Sequence, residues 1–549
     1  MAAKFENINT SAVPPTQEST MMDSQTMAQL THTLQTVAIA TLFFAVCAYV
    51  PKLKRKAQLG SLPVLGGETG EKHRQAYLTS AKKMYEDGYA KFKDSVYRIV
   101  GEQGEDNIVI PSSLLPELRK LPDDVLSFPA AVKQLMEVKY TKLQVEGATG
   151  LHSVKHDLTP ALPRLNPTIA TEVDIALRES MPPCEEWTDV YIFKELVDVI
   201  AKVSGRIFVG PELCRNPEYI KLGTNYTMDL VAGVTACKKV RPWLKPFLCP
   251  RLPEIVKLRK IEQQLSDFLH PIVEERMTAK AKDPNWQEPD DMLQWMITRG
   301  KGKDTIDEIT RFQLGLIFAA IHTTSMTVTS IMHTLAVTPE YIDPLREEIR
   351  NVMSNNDGVI TSRALQQMEK VDSYMKEVIR FYPTGYSKLN PLDMDHSWRT
   401  SQLTLPPPAA FNRRVLKGIT LSNGQYIPPG VTIEVPSAAV YLDEKNYPSA
   451  DEFDGFRAYK ARQSGKAADI ARNQFVTTNE TNLNFGYGAH ACPGRFFAAN
   501  EIKMILVRLI LEYDVKMPND ETVRYPMVDV STQSMPDPTK ALKFRKVQI

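Results

Sequence analysis

Near its C-terminal end the chain reads NFGYGAHACPGR, from Asn484 to Arg495. Three glycines and one proline surround a single cysteine, Cys492, and an apolar pattern of helical period begins at Arg495. Glycine admits backbone angles closed to other residues, so this stretch folds as a tight loop that delivers a thiol to the start of a helix. Unpaired N–H groups and the positive end of the helix dipole favour a thiolate there. His490 lies two residues before the cysteine and Arg495 three after it. A dinucleotide-binding loop would need an apolar strand before it and a third glycine in register, and neither is present. By composition alone, the segment also reads as a glycine-rich turn around a buried cysteine.

The remainder of the composition excludes several classes. With 43% hydrophobic and 24% charged residues, a chain of 549 residues can bury a large core. Lys+Arg 66 against Asp+Glu 65 leaves no polybasic surplus for nucleic acid. Six cysteines are too few for a disulfide scaffold, and no CxxC pair, phosphate loop or HExxH pair occurs.

Thr36 to Val50 carries no charge, Pro51 follows, and then KLKRK, Lys52 to Lys56. As a helix the run covers roughly 22 Å, and extension back through Leu34 and Leu30 brings it to spanning length. Its basic C-terminal flank places the following chain in the cytoplasm. A secretory signal peptide is the competing reading, but the run lies far from residue 1 and lacks a small-x-small cleavage site. The expected layout is a lumenal tail (1–33), a single transmembrane anchor (34–50), a basic and Pro/Gly hinge (51–70) and a catalytic domain (71–549). In that orientation Asn9-Thr10-Ser11 is the reachable glycosylation sequon, while Asn225 and Asn479 lie on the cytosolic side.

Beyond the hinge, helical patterns dominate. Thr305 and Glu308 form a capping-box pattern before LGLIFAAI, predicting a helix from about Asp304 to Leu335. TSRALQQMEKVDSYMKEVIR repeats apolar residues at Met368, Val371, Met375 and Val378, which predicts one helix with a buried face. RVLKGITLSNGQYIPPGVTIEV alternates around Asn423-Gly424 and Pro429-Gly430, as strands and turns do. A final helix is predicted from Arg495 to Leu511. The chain is mainly α with a minor β-sheet region.

FGYGAHACPG resembles the haem-binding motif of cytochromes P-450, Phe-x-x-Gly-x-(His/Arg)-x-Cys-x-Gly, through Phe485, Gly488, His490, Cys492 and Gly494. The resemblance implies the cytochrome P-450 fold and a haem b whose axial ligand is the Cys492 thiolate. It also implies that His490 meets a propionate and that Phe485 packs beside the sulfur. Glu377-x-x-Arg380 before Pro383 is similar to the family's Glu-x-x-Arg helix. FDGFR, Phe453 to Arg457, resembles the turn whose arginine, here Arg457, closes a structural cluster. AAIHTTS, Ala319 to Ser325, resembles the family's oxygen-activation segment and gives Thr323 the proton-delivery position. Ala320 stands where glycine is usual, and His322 where an acid is usual; an imidazole can relay protons near neutral pH, while a polar helix residue satisfied by local hydrogen bonds is the other reading of His322. Arg414, or its neighbour Arg413, is the candidate second propionate contact. HDLTPAL, His156 to Leu162, replaces the family's Trp-x-x-x-Arg, so no contact is carried over there.

VSGRIFVGPELCRNPEY, FNRRVLKGITLSNG and FDGFRAYKAR look like the filamentous-fungal membrane-bound branch that includes ent-kaurene oxidases and other secondary-metabolite oxygenases. The implied enzyme is a monooxygenase in the endoplasmic reticulum membrane, fed from NADPH by cytochrome P-450 reductase with cytochrome b5 as an accessory donor. Its substrate would be an apolar terpenoid, steroid-like molecule or prenylated alkaloid. Phe318 to Thr324, Leu121 to Leu151 and Ser531 to Met535 would line the pocket. The runners-up are a reductase-independent haem-thiolate isomerase or dehydratase and an inactive haem-binding protein. One segment does not fit: TGYSKLNPLDMDHSWRTSQLTLPPPAA, Thr384 to Ala410, has no helical period and is long for a connection inside a compact domain. Translated intron sequence over Thr384 to Pro407 is the preferred explanation, and a substrate lid is the alternative.

Overall fold

The computed structural model describes residues 24–65, 71–101, 104–144, 148–300, 303–383, 410–530 and 533–548. Asn9 and the segment from Thr384 to Pro407 lie outside them. The chain divides into two compact units, Met1–Ser61 and Leu62–Ile549.

Among its described residues, the first unit holds one helix, Ser24–Gln58. Its side chains are exposed, including Leu34, Phe43 and Phe44, and an 18-residue window within Gln29–Gln58 has a mean hydropathy of 1.8. The helix is longer than the expected anchor at both ends. At the front, Thr31, Thr33 and Thr36 donate their hydroxyls to the carbonyls four residues back, at 2.7 to 2.8 Å, so polar residues continue the helix. At the back it does not stop at Pro51. Proline removes one backbone donor, but good helix formers follow, and Arg55 and Lys56 sit in the last turn against the negative end of the dipole. The expected hinge is therefore helical to Gln58, and its Val64–Leu65 is a strand of the second unit.

The second unit is built around the long helix Ile306–Leu335. Thr305 and Glu308 close its capping box, with the Glu308 N–H donating to Thr305 Oγ1 at 3.2 Å and the Thr305 N–H donating back to Glu308 Oε2 at 2.8 Å. An 18-residue window of this helix, with a mean hydropathy of 1.4, is apolar enough to cross a membrane, but 61% of that window is buried inside the fold, which makes it a core helix. It packs against Ile192–Phe208, Pro217–Lys239, Pro253–Lys282 and the final helix Arg495–Glu512. Gly223 marks one close crossing, where an added Cβ would lie 3.2 Å from Ile317. The expected apolar face Ile502, Ile505, Leu506 and Leu509 is buried.

The helix expected through Met368 is two helices, Ser362–Gln367 and Glu369–Phe381. Thr361 caps the first. Glu348, from a neighbouring helix, caps the second by accepting the N–H groups of Lys370 and Val371 at 2.7 and 3.0 Å. That cap is a tertiary contact, which no local pattern announces.

Six strands form the main sheet, in the order Val64–Leu65, Tyr97–Val100, Asp106–Val109, Thr432–Val435, Ala410–Val415, Leu126–Ser127. A register shift interrupts the pairing between Ala410 and Arg413, where Phe411 takes a positive φ of 67°. Asn423-Gly424 turns the small hairpin of Ile419–Thr420 and Tyr426–Ile427, with Gly424 at φ 83°.

Candidate active site

The cysteine loop is closed by its own backbone. The Cys492 N–H donates to the Phe485 carbonyl at 2.7 Å, and the Ala491 N–H to Gly488 at 3.1 Å. Gly486 and Gly488 hold φ near +73° and +74°. At Gly488 an added Cβ would also come within 3.0 Å of Arg119 Cβ, so glycine is required for conformation and for space. Gly494 caps the final helix. The backbone amides of Gly494 and Arg495, at the start of that helix, favour an ionised Cys492 sulfur. Burial pushes the thiol pKa up; those two amides and the Arg495 charge oppose it, which is the arrangement that stabilises a thiolate. Phe485 packs edge-on against Phe475, with ring centroids 5.3 Å apart.

Charged groups gather at the loop. His490 Nε2 lies 2.6 Å from Asp123 Oδ1, and its ring sits 5.2 Å from that of Phe128. Arg413 is buried, lies between the rings of Phe128 and Phe411, and donates to the Tyr487 carbonyl at 3.3 Å. Burial brings its guanidinium down to about 10, and Asp123 opposes the shift. Arg119 reaches the Tyr487 hydroxyl at 3.4 Å. Arg414 instead turns along the sheet to Thr432 Oγ1 at 3.2 Å. Of the two candidate arginines, Arg413 is the one that touches the cysteine loop. Arg119, Asp123 and Phe128 have no sequence signal of their own; the pairing of Leu126–Ser127 with Val415 and Arg414 brings them there.

On the long helix, Ala319 and Thr323 are exposed, the latter between the buried His322 and Thr324. Thr323 Oγ1 donates to the Ala319 carbonyl at 2.6 Å, and Thr327 Oγ1 to the Thr323 carbonyl at 2.9 Å. His322 does not share that face. It is 6% exposed, lies 6.5 Å from the Phe193 ring, and its Nδ1 has no hydrogen-bond partner among the described residues. Desolvation brings its pKa down to about 4, so the ring is neutral at pH 7. Of the two readings of His322, burial against Phe193 favours that of a helix residue packed in the interface rather than one presented on the Thr323 side. In the HDLTPAL region, His156 stacks on His152 at 4.1 Å, and Asp157 pairs with Arg299.

The structure brings Glu377, Arg380 and Arg457 together. Arg380 forks onto Glu377 with bonds of 2.8 and 2.7 Å, and Arg457 Nε donates to Glu377 Oε1 at 3.2 Å. The remaining Arg380 donors reach the carbonyls of Tyr441, Ala450 and Glu452. This cluster ties the Glu369–Phe381 helix to the loops that precede the cysteine.

A haem asks for an axial anion, partners for two carboxylates and room for a flat apolar ring. The donor set fits. Cys492 offers a sulfur just before the start of the final helix; Arg413, Arg119 and His490 offer cationic or hydrogen-bonding partners; Ala319 and Thr323 offer a small-residue edge on a helix that packs against the final helix.

The family model described as Cytochrome P-450 matches residues 153–390 and 404–544, with a break over 391–403 that falls inside Thr384 to Pro407. Cytochrome P-450 monooxygenase TES1 of Alternaria alternata is 38% identical over 527 residues, 95% of each chain. Cytochrome P-450 monooxygenase ATR3 of Stachybotrys chlorohalonatus is 37% identical, over 80% of this chain and 89% of its own. Among solved structures, the retinoic-acid-bound cyanobacterial CYP120A1 matches with a TM-score of 0.63 at 17% identity, covering 89% of this chain and all of that one, and shows the shared fold.

Proposed function

The chain belongs to the cytochrome P-450 family, and we propose that it is a membrane-tethered monooxygenase that inserts one oxygen atom into an apolar secondary metabolite of terpenoid, steroid-like or prenylated-alkaloid type. When bound, the haem supplies the redox centre at which dioxygen is reduced and cleaved, and a thiolate ligand favours O–O cleavage by electron donation. Cys492 provides that ligand. The observation that carries the reading is the position of Cys492 in a loop closed by its own N–H on the Phe485 carbonyl, immediately before the start of the final helix. Arg413 and His490 hold the propionates, replacing the weaker candidate Arg414. Thr323 holds a proton at Oγ1, now donated to the Ala319 carbonyl, and releases it toward the accessible side of the helix by rotating about χ1. His322 takes no part in this transfer. Glu377, Arg380 and Arg457 brace the loops behind the haem.

Electrons come from NADPH through a separate reductase, with cytochrome b5 as a second donor. The exposed apolar helix Ser24–Gln58 spans the endoplasmic reticulum membrane, and its basic end keeps the catalytic unit in the cytosol. The test is reconstitution of the full chain with a fungal reductase and a panel of apolar terpenoids. NADPH consumption with a product one oxygen heavier supports the proposal. Turnover without NADPH, or a product of unchanged mass, replaces it with an isomerase or dehydratase.

A further inference from the structure

Beside the Glu377–Arg380–Arg457 cluster lies a cavity of about 300 Å³ for which oxygenation has no use. Five cationic side chains line it, Lys376, Arg380, Lys445, Arg457 and Arg472, against the single carboxylate of Glu377. That carboxylate is fully engaged by Arg380, Arg457 and the Asp454 N–H. The other three cations form no salt bridge with a described residue, although Arg472 faces Glu480, and Lys376 faces Glu377 and Asp372, the latter itself paired with Arg462 and Lys503. Lys376 is 8% exposed, and its Nζ donates only to the carbonyls of Arg472 and Gln474, at 3.0 and 3.3 Å. The exposed side chains of Lys445 and Arg472 make no hydrogen bond or ion pair with a described residue. The nearby acids are committed elsewhere: Asp443 to Lys93 and Tyr89, Glu444 to the Ser449 and Ala450 amides, Glu480 to the Tyr487 hydroxyl, and Asp469 to Ser464.

Amide donors complete the wall. Asn479 Oδ1 accepts from Thr481 and Asn482, and Asn484 Oδ1 accepts from the Tyr441 hydroxyl, which leaves Nδ2 as the unused end of each side chain. Three cations without a salt-bridge partner among the described residues, two amide ends and a volume at the low end for small-molecule sites describe a receptor for a compact, multiply charged oxyanion. We propose that this cavity binds a small dianion of the phosphate type, held by Lys376, Lys445 and Arg472. Burial, with Arg462 and Arg472 beside it, lowers the Lys376 ammonium to about 8 against the pull of Asp372 and Glu377, so a bound dianion would draw a proton onto it near that pH. Asn484 immediately precedes Phe485, whose carbonyl closes the cysteine loop, so the occupant would also brace that loop.

The experiment is isothermal titration of the haem-loaded full chain in detergent, in phosphate-free buffer, with inorganic phosphate in one arm and adenosine 5′-monophosphate in the other. One saturating event in either arm is expected. Its affinity should fall about tenfold in Arg472→Gln and again in Lys445→Gln, the size expected for losing a charged hydrogen bond. Lys221→Gln, which removes a charge from a helix that contributes nothing to the cavity, should bind like the parent. At pH 8 the heat should vary with the ionisation enthalpy of the buffer as Lys376 takes up its proton. Saturation with phosphate alone identifies a free ion, and saturation with the ester alone identifies a phosphorylated metabolite; both support the site. Absence of saturation in both arms, or equal affinity in all variants, overturns it. The carbon monoxide spectrum of each variant reports the haem–thiolate bond separately, so failure here is distinguishable from failure of the oxygenase reading.

Discussion

Arg380→Ala removes the most connected side chain behind the cysteine loop. Its guanidinium makes five hydrogen bonds, two to Glu377 and three to the carbonyls of Tyr441, Ala450 and Glu452. Both partners of the pair are 3% exposed. Truncation leaves the Glu377 carboxylate buried with only Arg457 and the Asp454 N–H, and strips the Arg380 donors from the carbonyls of Tyr441 and Ala450. Breaking a buried ion pair from one side costs about 3–5 kcal/mol, because the abandoned charge stays desolvated.

Arg457→Ala supplies the internal comparison. Its side chain is 20% exposed, and Glu377 keeps both Arg380 bonds after its loss. Water can reach the carbonyls it abandons, so a cost of about 1–2 kcal/mol is expected, that of one charge-assisted hydrogen bond. The assay is urea titration of the reduced carbon monoxide complex, following the thiolate-type Soret band. The shift in midpoint multiplied by the slope gives the free-energy difference. Both variants should show the band without urea, with Arg380→Ala losing it first. Equal midpoints for the two variants, or a larger loss for Arg457→Ala, would refute the reasoning that burial of the abandoned carboxylate sets the cost.

Cys492→Ser should abolish the red-shifted Soret band of the reduced carbon monoxide complex, and persistence of that band would remove Cys492 as the ligand. Thr323→Ala should divert electrons into peroxide, whereas His322→Leu should keep NADPH use coupled to product; the reverse pattern would restore His322 as the relay. Glu501 is fully buried, accepts from Ser204 Oγ at 2.8 Å, and is pushed up to about 8 by burial. Between its ordinary 4.5 and 8 the folded chain therefore holds a proton that the unfolded chain has released, so stability falls as pH rises through that window, and Glu501→Gln should flatten the fall in urea midpoints. His322 has the opposite sign, its pKa being lowered from 6.5 to about 4, so His322→Leu should flatten the rise in stability over that range. Peptide mapping of active native protein tests the intron hypothesis, which requires that no peptide containing His396-Ser397-Trp398 be recovered.

What could be read from the sequence was local. The cysteine loop declares itself because its glycines, its thiol and the helix start all lie within twelve residues, and the Glu377–Arg380 pair because its members are three apart on one helix. Contacts that need distant partners stayed hidden: Glu348 splits a helix that its own period runs straight through, and the packing against Ile192–Phe208 decides that His322 is buried while Thr323 is accessible. The two arginines of the sheet show the limit most sharply. Alternation along a strand requires that Arg413 and Arg414 face opposite ways, but a slip of one residue exchanges their faces. The slip is fixed by the irregularity between Ala410 and Arg413, where Phe411 adopts a positive φ with no glycine to announce it. With the strand paired so that Arg413 stands opposite Ile433, Arg413 enters between Phe128 and Phe411 and reaches the Tyr487 carbonyl, and Arg414 is left to the sheet. Which arginine meets the cysteine loop is thus set by one backbone irregularity in the strand that carries them both.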